Sequence, residues 1–127
     1  MLRVSRPLRE QDPLARFLYS RHAFVKSPSP RAKWLAFEPR HGNLSTFDIS
    51  GLARPAVLEL TERNRGVRKE SLKGFATVTV GAAQALGLSA ERTPPERHVD
   101  LTRWPSEPEQ VQSIAQSLAD AATVDLV

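Results

Sequence analysis

His98 and Asp100 stand two residues apart in the run Arg97 to Leu101, RHVDL. If that run is extended, the two side chains leave one face with their Cα atoms about 6.5 to 7 Å apart. A carboxylate at that spacing can hydrogen-bond an imidazole, which is how a general base is oriented. His22, just after Ser20-Arg21, and Ser45, in LSTFDI, complete the catalytic candidates His22, Ser45, His98 and Asp100. His41 falls in a turn. A general base also needs a cleft and a partner, and spacing supplies neither. The three histidines form no HxxxH or HExxH pair, and there is no cysteine. Thiolate zinc sites, iron–sulfur clusters, disulfides and Cys nucleophiles are thereby excluded. No GxxxxGK[ST] or GxGxxG loop cradles a phosphate, and no GxSxG elbow is present. The sequence calls for no metal and no cofactor.

A second kind of chemistry is electrostatic. Residues 1–69 carry 14 Lys/Arg against 6 Asp/Glu, and residues 70–127 carry 4 against 8. Arginine outnumbers lysine 14 to 4. A planar guanidinium binds phosphate or carboxylate through two parallel hydrogen bonds. Arg16, Arg21, Lys26, Arg31, Lys33 and Arg40 are the candidate anion-binding or nucleic-acid-binding residues. The first two lie among Phe17, Tyr19 and Phe24, a mixture able to neutralise and stack a nucleic acid strand. Arg63 to Lys69 is the densest basic cluster, placed where cations suit the C-terminus of a helix.

These side chains must be positioned by secondary structure, and the stretch Lys33 to Leu52 organises it. KWLAFE reads as a strand, His41-Gly42-Asn43 as turn chemistry tolerant of positive φ, and Leu44 to Ser50 as a second, alternating strand. Before it, Leu14 to Val25 reads as a short helical turn running into a strand, and KSPSPRA (26–32) as a proline-governed loop. After it, Pro55 suits the first helical position of a helix over 54–65. KGFATVTV (73–80) is a β-branched strand. A short helix over 81–88 is capped by Thr79 and ended by Gly87. The double proline makes 92–96 a loop, and 97–101 reads as a short edge strand with Val99 and Leu101 inward. Ser106 and Glu109 form a capping box for a helix over 106–123. Its apolar stripe is Val111, Ile114, Ala115, Leu118, Ala119 and Ala122.

A chain of 127 residues with 40% hydrophobic and 25% charged content predicts one folded domain, 1–127, with residues 1–13 an extended or mobile arm. The expected fold is α+β: a mostly antiparallel sheet of four to five short strands, with two main helices packed on one face. No apolar run of about seven residues follows the basic start, as a secretory leader requires. None approaches the roughly 20 of a membrane span. The expected location is the cytoplasm, with no membrane contact.

Arg16 to Ser20, Ala36-Phe37 and Leu44-Ser45-Thr46-Phe47 together resemble the opening of ADP-ribosyltransferase-like folds. There an early strand residue and a later Ser/Thr strand line a nicotinamide pocket, which would imply a small enzyme acting on a nucleotide-like substrate. No third-strand catalytic Glu is assigned in this chain. The pieces RFLYSRHAF, WLAFEPRHGNLSTFDISGL and RHVDLTRWP resemble a family of small bacterial proteins of uncharacterised activity, which implies a bacterial source and no mechanism. The leading functional expectation is a non-enzymatic binding or accessory subunit of a bacterial assembly, whose basic N-terminal half contacts nucleic acid or an acidic protein. The alternatives are the nucleotide-directed enzyme and a homodimer formed through a sheet edge or the sparsely charged face of the last helix.

Overall fold

Eight strands and three helices make up the described residues, 6–127, in a computed structural model of the chain. The strands are β1 (Pro13–Leu18), β2 (Phe24–Val25), β3 (Arg31–Ala32), β4 (Leu44–Asp48), β5 (Gly74–Thr79), β6 (Ser89–Arg92), β7 (His98–Thr102) and β8 (Thr123–Leu126). The helices are α1 (Arg54–Arg63), α2 (Val80–Ala85) and α3 (Pro108–Ala121). Six strands form one sheet in the order β6-β7-β4-β1-β5-β8, every pairing antiparallel, and β2 pairs with β3 alone. The α+β class and the antiparallel sheet are as the sequence leads one to expect. The strand number is six, not four to five, and beside the two main helices stands a third, α2, where the short helix over 81–88 is expected.

Strand alternation sorts the sheet into two faces. One face carries Leu14, Leu18, Leu44, Ala76, Val78, Val99 and Leu101, and these pack with Phe37 and with Ala115, Leu118 and Ala119 of α3. The other carries Ala15 and Phe75, which pack with Val57 of α1 and with Phe17, Ile49, Leu52 and Leu58. The two main helices therefore lie on opposite faces, which corrects the expected single helical layer. Each brings one apolar stripe, and β1 and β5, both interior in the sheet, place buried apolar side chains on each face, Leu14 and Leu18 against Ala15, and Ala76 and Val78 against Phe75. Such strands need cover on both sides.

β4 inverts the usual rule. Its outward side chain is Ser45, and its core-facing positions are Thr46 and Asp48, both 0% exposed. Thr46 Oγ1 donates to the Val99 carbonyl at 2.8 Å. Asp48 accepts from Arg92 Nη2 at 3.0 Å and from the Ser50 N–H at 2.9 Å. Burial pushes the Asp48 carboxyl up, but its hydrogen bonds from Ser50 and Arg92 outweigh that and hold it below its ordinary value. Buried polar groups survive when each finds a partner, and these do.

Several local expectations change. Residues Trp34–Phe37 form a 3-10 turn, not a strand, so the Lys33 to Leu52 stretch holds one strand, β4, preceded by the turn at His41 (φ 52°) and Gly42 (φ 77°). Ala36 and Phe37 are consecutive and both buried, which a half-exposed strand cannot arrange. The Leu14 to Val25 segment is strand first and helical turn second: β1, then a 3-10 turn at Arg21–Ala23, then β2. The expected 26–32 loop ends in β3. β7 is an interior strand, and the unexpected β6 takes the edge. The expected capping box fails, because Glu107 is the N-cap of α3 without a side-chain bond and Pro108 fills the first turn. Thr79 does cap α2, accepting from the Ala82 N–H at 3.1 Å.

Residues 1–5 of the expected N-terminal arm lie outside the described residues. From Arg6 onward the lead-in is tied to the sheet. Arg6 grips Asp12 through both nitrogens at 2.8 and 2.9 Å and reaches Ser50 Oγ at 3.0 Å. The Arg6 carbonyl accepts from Arg92 Nε at 2.9 Å.

Candidate nucleic-acid interface

Antiparallel pairing puts alternate strand ends together. The register of β1, β4 and β5 places the end of β1 beside the starts of β4 and β5. Two long connections therefore leave the sheet at one end. The first, residues 19–43, holds Arg21, Lys26, Arg31, Lys33 and Arg40 against Glu38 alone. The second, residues 64–73, holds Arg65, Arg68, Lys69 and Lys73 against Glu70 alone. They meet: Arg68 lies 4.6 Å over the Tyr19 ring, and the Lys73 N–H donates to the Leu18 carbonyl at 2.7 Å.

Arg21, Lys26, Arg31, Lys33 and Arg40 are all exposed. The first four belong to one small unit, the Arg21–Ala23 turn with the β2–β3 pair, fastened by the Lys33 N–H to the Ala23 carbonyl at 2.8 Å. A groove of about 390 Å³ runs between this unit and α3, walled by Arg31, Lys33, Trp34, Gln116 and Asp120. Trp34 and the two cations share that wall with Asp120, its one acid.

Arg16 differs from the other five. It leaves β1 on the α3 face, and its guanidinium turns to the gap where β1 and β4 diverge. Nε donates to the Ala36 carbonyl and Nη1 to the Ser45 carbonyl, both at 2.8 Å. Burial, reinforced by the neighbouring charges of Arg68 and Arg40, holds its pKa down to about 10. It remains cationic at neutral pH.

None of the six candidate cations has a carboxylate partner among the described residues. The ion pairs of arginine there are Arg6–Asp12, Arg54–Asp125, Arg65–Glu62 and Arg92–Asp48. Every one of them lies outside the candidate set.

The catalytic candidates separate. His22 and His41 are exposed in turns. His98 and Asp100 share the outward face of β7 as their spacing predicts, with His98 Nε2 3.7 Å from Asp100 Oδ1. Thr93, which spacing does not reveal, joins them: its Oγ1 lies 2.6 Å from His98 Nδ1 and donates to Asp100 Oδ2 at 3.1 Å. The double proline at 94–95 folds the chain back so that Thr93 meets a residue five positions on. Ser45 faces Asp100 across the β4–β7 register, and Phe47 stacks on Phe17 (5.1 Å) and meets His98 edge-on (5.2 Å). Arg16 and Ser45 stand on neighbouring strands but leave the sheet on opposite faces, so they do not line one nicotinamide-sized pocket. Among the described residues, no three His, Asp or Glu side chains gather as metal ligands do. No helix among the described residues is long and apolar enough to cross a membrane.

Sequence reasoning marks Tyr19 as a stacking aromatic and the cluster that holds Arg68 as basic, but misses that the two meet. The Arg63 to Lys69 cluster is visible as charge, but only the antiparallel register brings it to residues 16–40. No family model, curated protein or solved structure matches the chain.

Proposed function

We propose that this protein is a non-enzymatic binding module, an accessory subunit that engages nucleic acid through its cationic end. One observation carries the reading: the two connections at one end of the sheet, residues 19–43 and 64–73, hold nine Lys/Arg against Glu38 and Glu70, and the six candidate cations have no carboxylate partner among the described residues. Uncompensated cations gathered at one end raise the local concentration of a polyanion and its rate of encounter. The half-buried Trp34 and Tyr19 rings add aromatic surface beside these cations, the kind of group on which bases stack.

The test is binding of a fluorescent oligothymidine to the full chain at several salt concentrations. Phosphate contacts release counterions, so affinity should fall steeply and linearly on a log–log plot, with a slope of about −0.7 per contact. A flat slope, or no binding at low salt, overturns the reading and leaves an acidic protein as the partner to seek.

A second reading, a small enzyme on a nucleotide-like substrate, is favoured by the Thr93–His98–Asp100 contact. It separates from the first by turnover: a nucleotide consumed by the native chain and spared by Asp100→Asn would establish it.

A further inference from the structure

We propose that the cavity between the Trp34–Phe37 turn and the start of α3 is a base pocket, which takes one amino-bearing pyrimidine of a single strand whose phosphates lie along Arg31 and Lys33. The inference rests on the nucleic-acid reading and adds the part of the ligand that is read and the residues that read it.

The cavity encloses about 350 Å³, and its wall includes Trp34, Glu38, Trp104, Pro108 and Gln112. That is the lower end of small-ligand sites, roughly 300 to 1,000 Å³, and suits a single heterocycle. Both tryptophans of the chain line it. Each packs on the main core and stays half-buried, so the rings are held before a ligand arrives, which lowers the ordering cost of binding. Trp104 Nε1 is taken by the Leu101 carbonyl at 3.0 Å. What that indole has left to offer is ring surface, on which bases stack.

The cavity continues into the groove beside Arg31 and Lys33. Pro108 and Gln112 line the first, Gln116 and Asp120 the second, and Trp34 borders both. Those four α3 positions are four residues apart, so they make one row along the helix, about 18 Å long. Charge divides along the row. The groove holds two cations against Asp120, whose Oδ1 already accepts from Gln116 Nε2 at 2.8 Å. In the cavity Glu38 is the one charged residue. It is exposed and makes no ion pair among the described residues. Its backbone N–H closes the turn on the Leu35 carbonyl, a bond that any residue would make. A carboxylate among the cations of residues 19–43 opposes phosphate, so it weakens plain polyanion binding. It gains a purpose if it reads a base. An ionised carboxylate only accepts hydrogen bonds. Cytosine offers it the 4-amino donor, where thymine has a carbonyl oxygen. The neutral Gln112 amide donates to ring acceptors beside that amino group.

The experiment compares fluorescent oligocytidine and oligothymidine of equal length, bound to the full chain at neutral pH and several salt concentrations. Alongside it, cytidine, which carries no phosphate, is titrated against the intrinsic tryptophan fluorescence. The expected result is parallel salt slopes, because the phosphates are equal in number, with oligocytidine bound about tenfold more tightly. Glu38→Gln changes an exposed side chain and spares the core, and it should erase that ratio. Glu70→Gln removes the other acid of the cationic end and should keep it. Equal affinity for the two oligonucleotides, or a ratio that survives Glu38→Gln, overturns the base pocket. If both still bind with steep slopes in that case, the nucleic-acid reading survives without it. If neither oligonucleotide binds, but cytidine quenches saturably in the native chain and not in Glu38→Gln, the pocket stands and the nucleic-acid reading falls. If cytidine is silent as well, both fall. Displacement of cytidine by tetramethylammonium would assign the rings and Glu38 to an organic cation and overturn the base assignment.

Discussion

Asp12 shows how a single carboxylate fastens the chain ahead of the sheet. Its hydrogen bonds from Arg6, opposed by burial and helped by the Arg9 N–H, lower its pKa from 3.8 to about 2. A carboxyl held below its unfolded value contributes stability that is fully present above pH 3.8 and is lost as pH falls through 2. With Arg6 part-exposed, the contribution is about 1–2 kcal/mol. Asp48, also held low, acts in the same direction. Urea midpoints measured from pH 6 to pH 2 should therefore fall in acid, and Asp12→Asn should lower the neutral midpoint and flatten part of that decline. An acid limb identical in the variant would remove Asp12 from the account.

Among the elements, β8 is the one whose attachment depends on a missing side chain. Gly74 pairs with Leu126, and a Cβ there would collide with the Asp125 carbonyl and lie 2.9 Å from Leu126 Cα. Gly74→Ala should detach β8, raising amide exchange at residues 123–126 while residues 98–102 stay protected. Uniform loss of protection would show that β8 belongs to the global folding unit instead. Nothing in the sequence before Gly74 marks it as a close-approach glycine, and β8 is a four-residue strand after a helix, with no alternation long enough to read. β5 is legible because β-branching and alternation agree over KGFATVTV. Residues Trp34–Phe37 mislead because a short apolar run has no period of its own. β6 is hidden in a segment whose prolines dominate the local signal. The helices are legible as elements and not as layers: an apolar stripe says that a face is covered and not which side of the sheet covers it.

On the scale of the whole molecule, charge asymmetry along the sequence becomes asymmetry in space. The six basic candidates can be named from the sequence, but the contact of Arg68 with Tyr19, which joins the two basic connections, depends on antiparallel register, which no local pattern encodes. His98 and Asp100 can be paired by strand period alone, whereas Thr93 needs the fold. If the cationic end is the interface, position should outweigh net charge. Arg21, Lys26, Arg31 and Lys33 belong to it, while Arg9 lies in the lead-in before β1 and is equally exposed. Replacing the four by serine should flatten the salt dependence of oligothymidine binding by about 0.7 for each phosphate no longer neutralised. Arg9→Ser should leave the slope unchanged. A slope that follows total charge, so that Arg9→Ser costs as much as any one of the four, would mean that the chain attracts polyanions through its overall field and has no defined binding face.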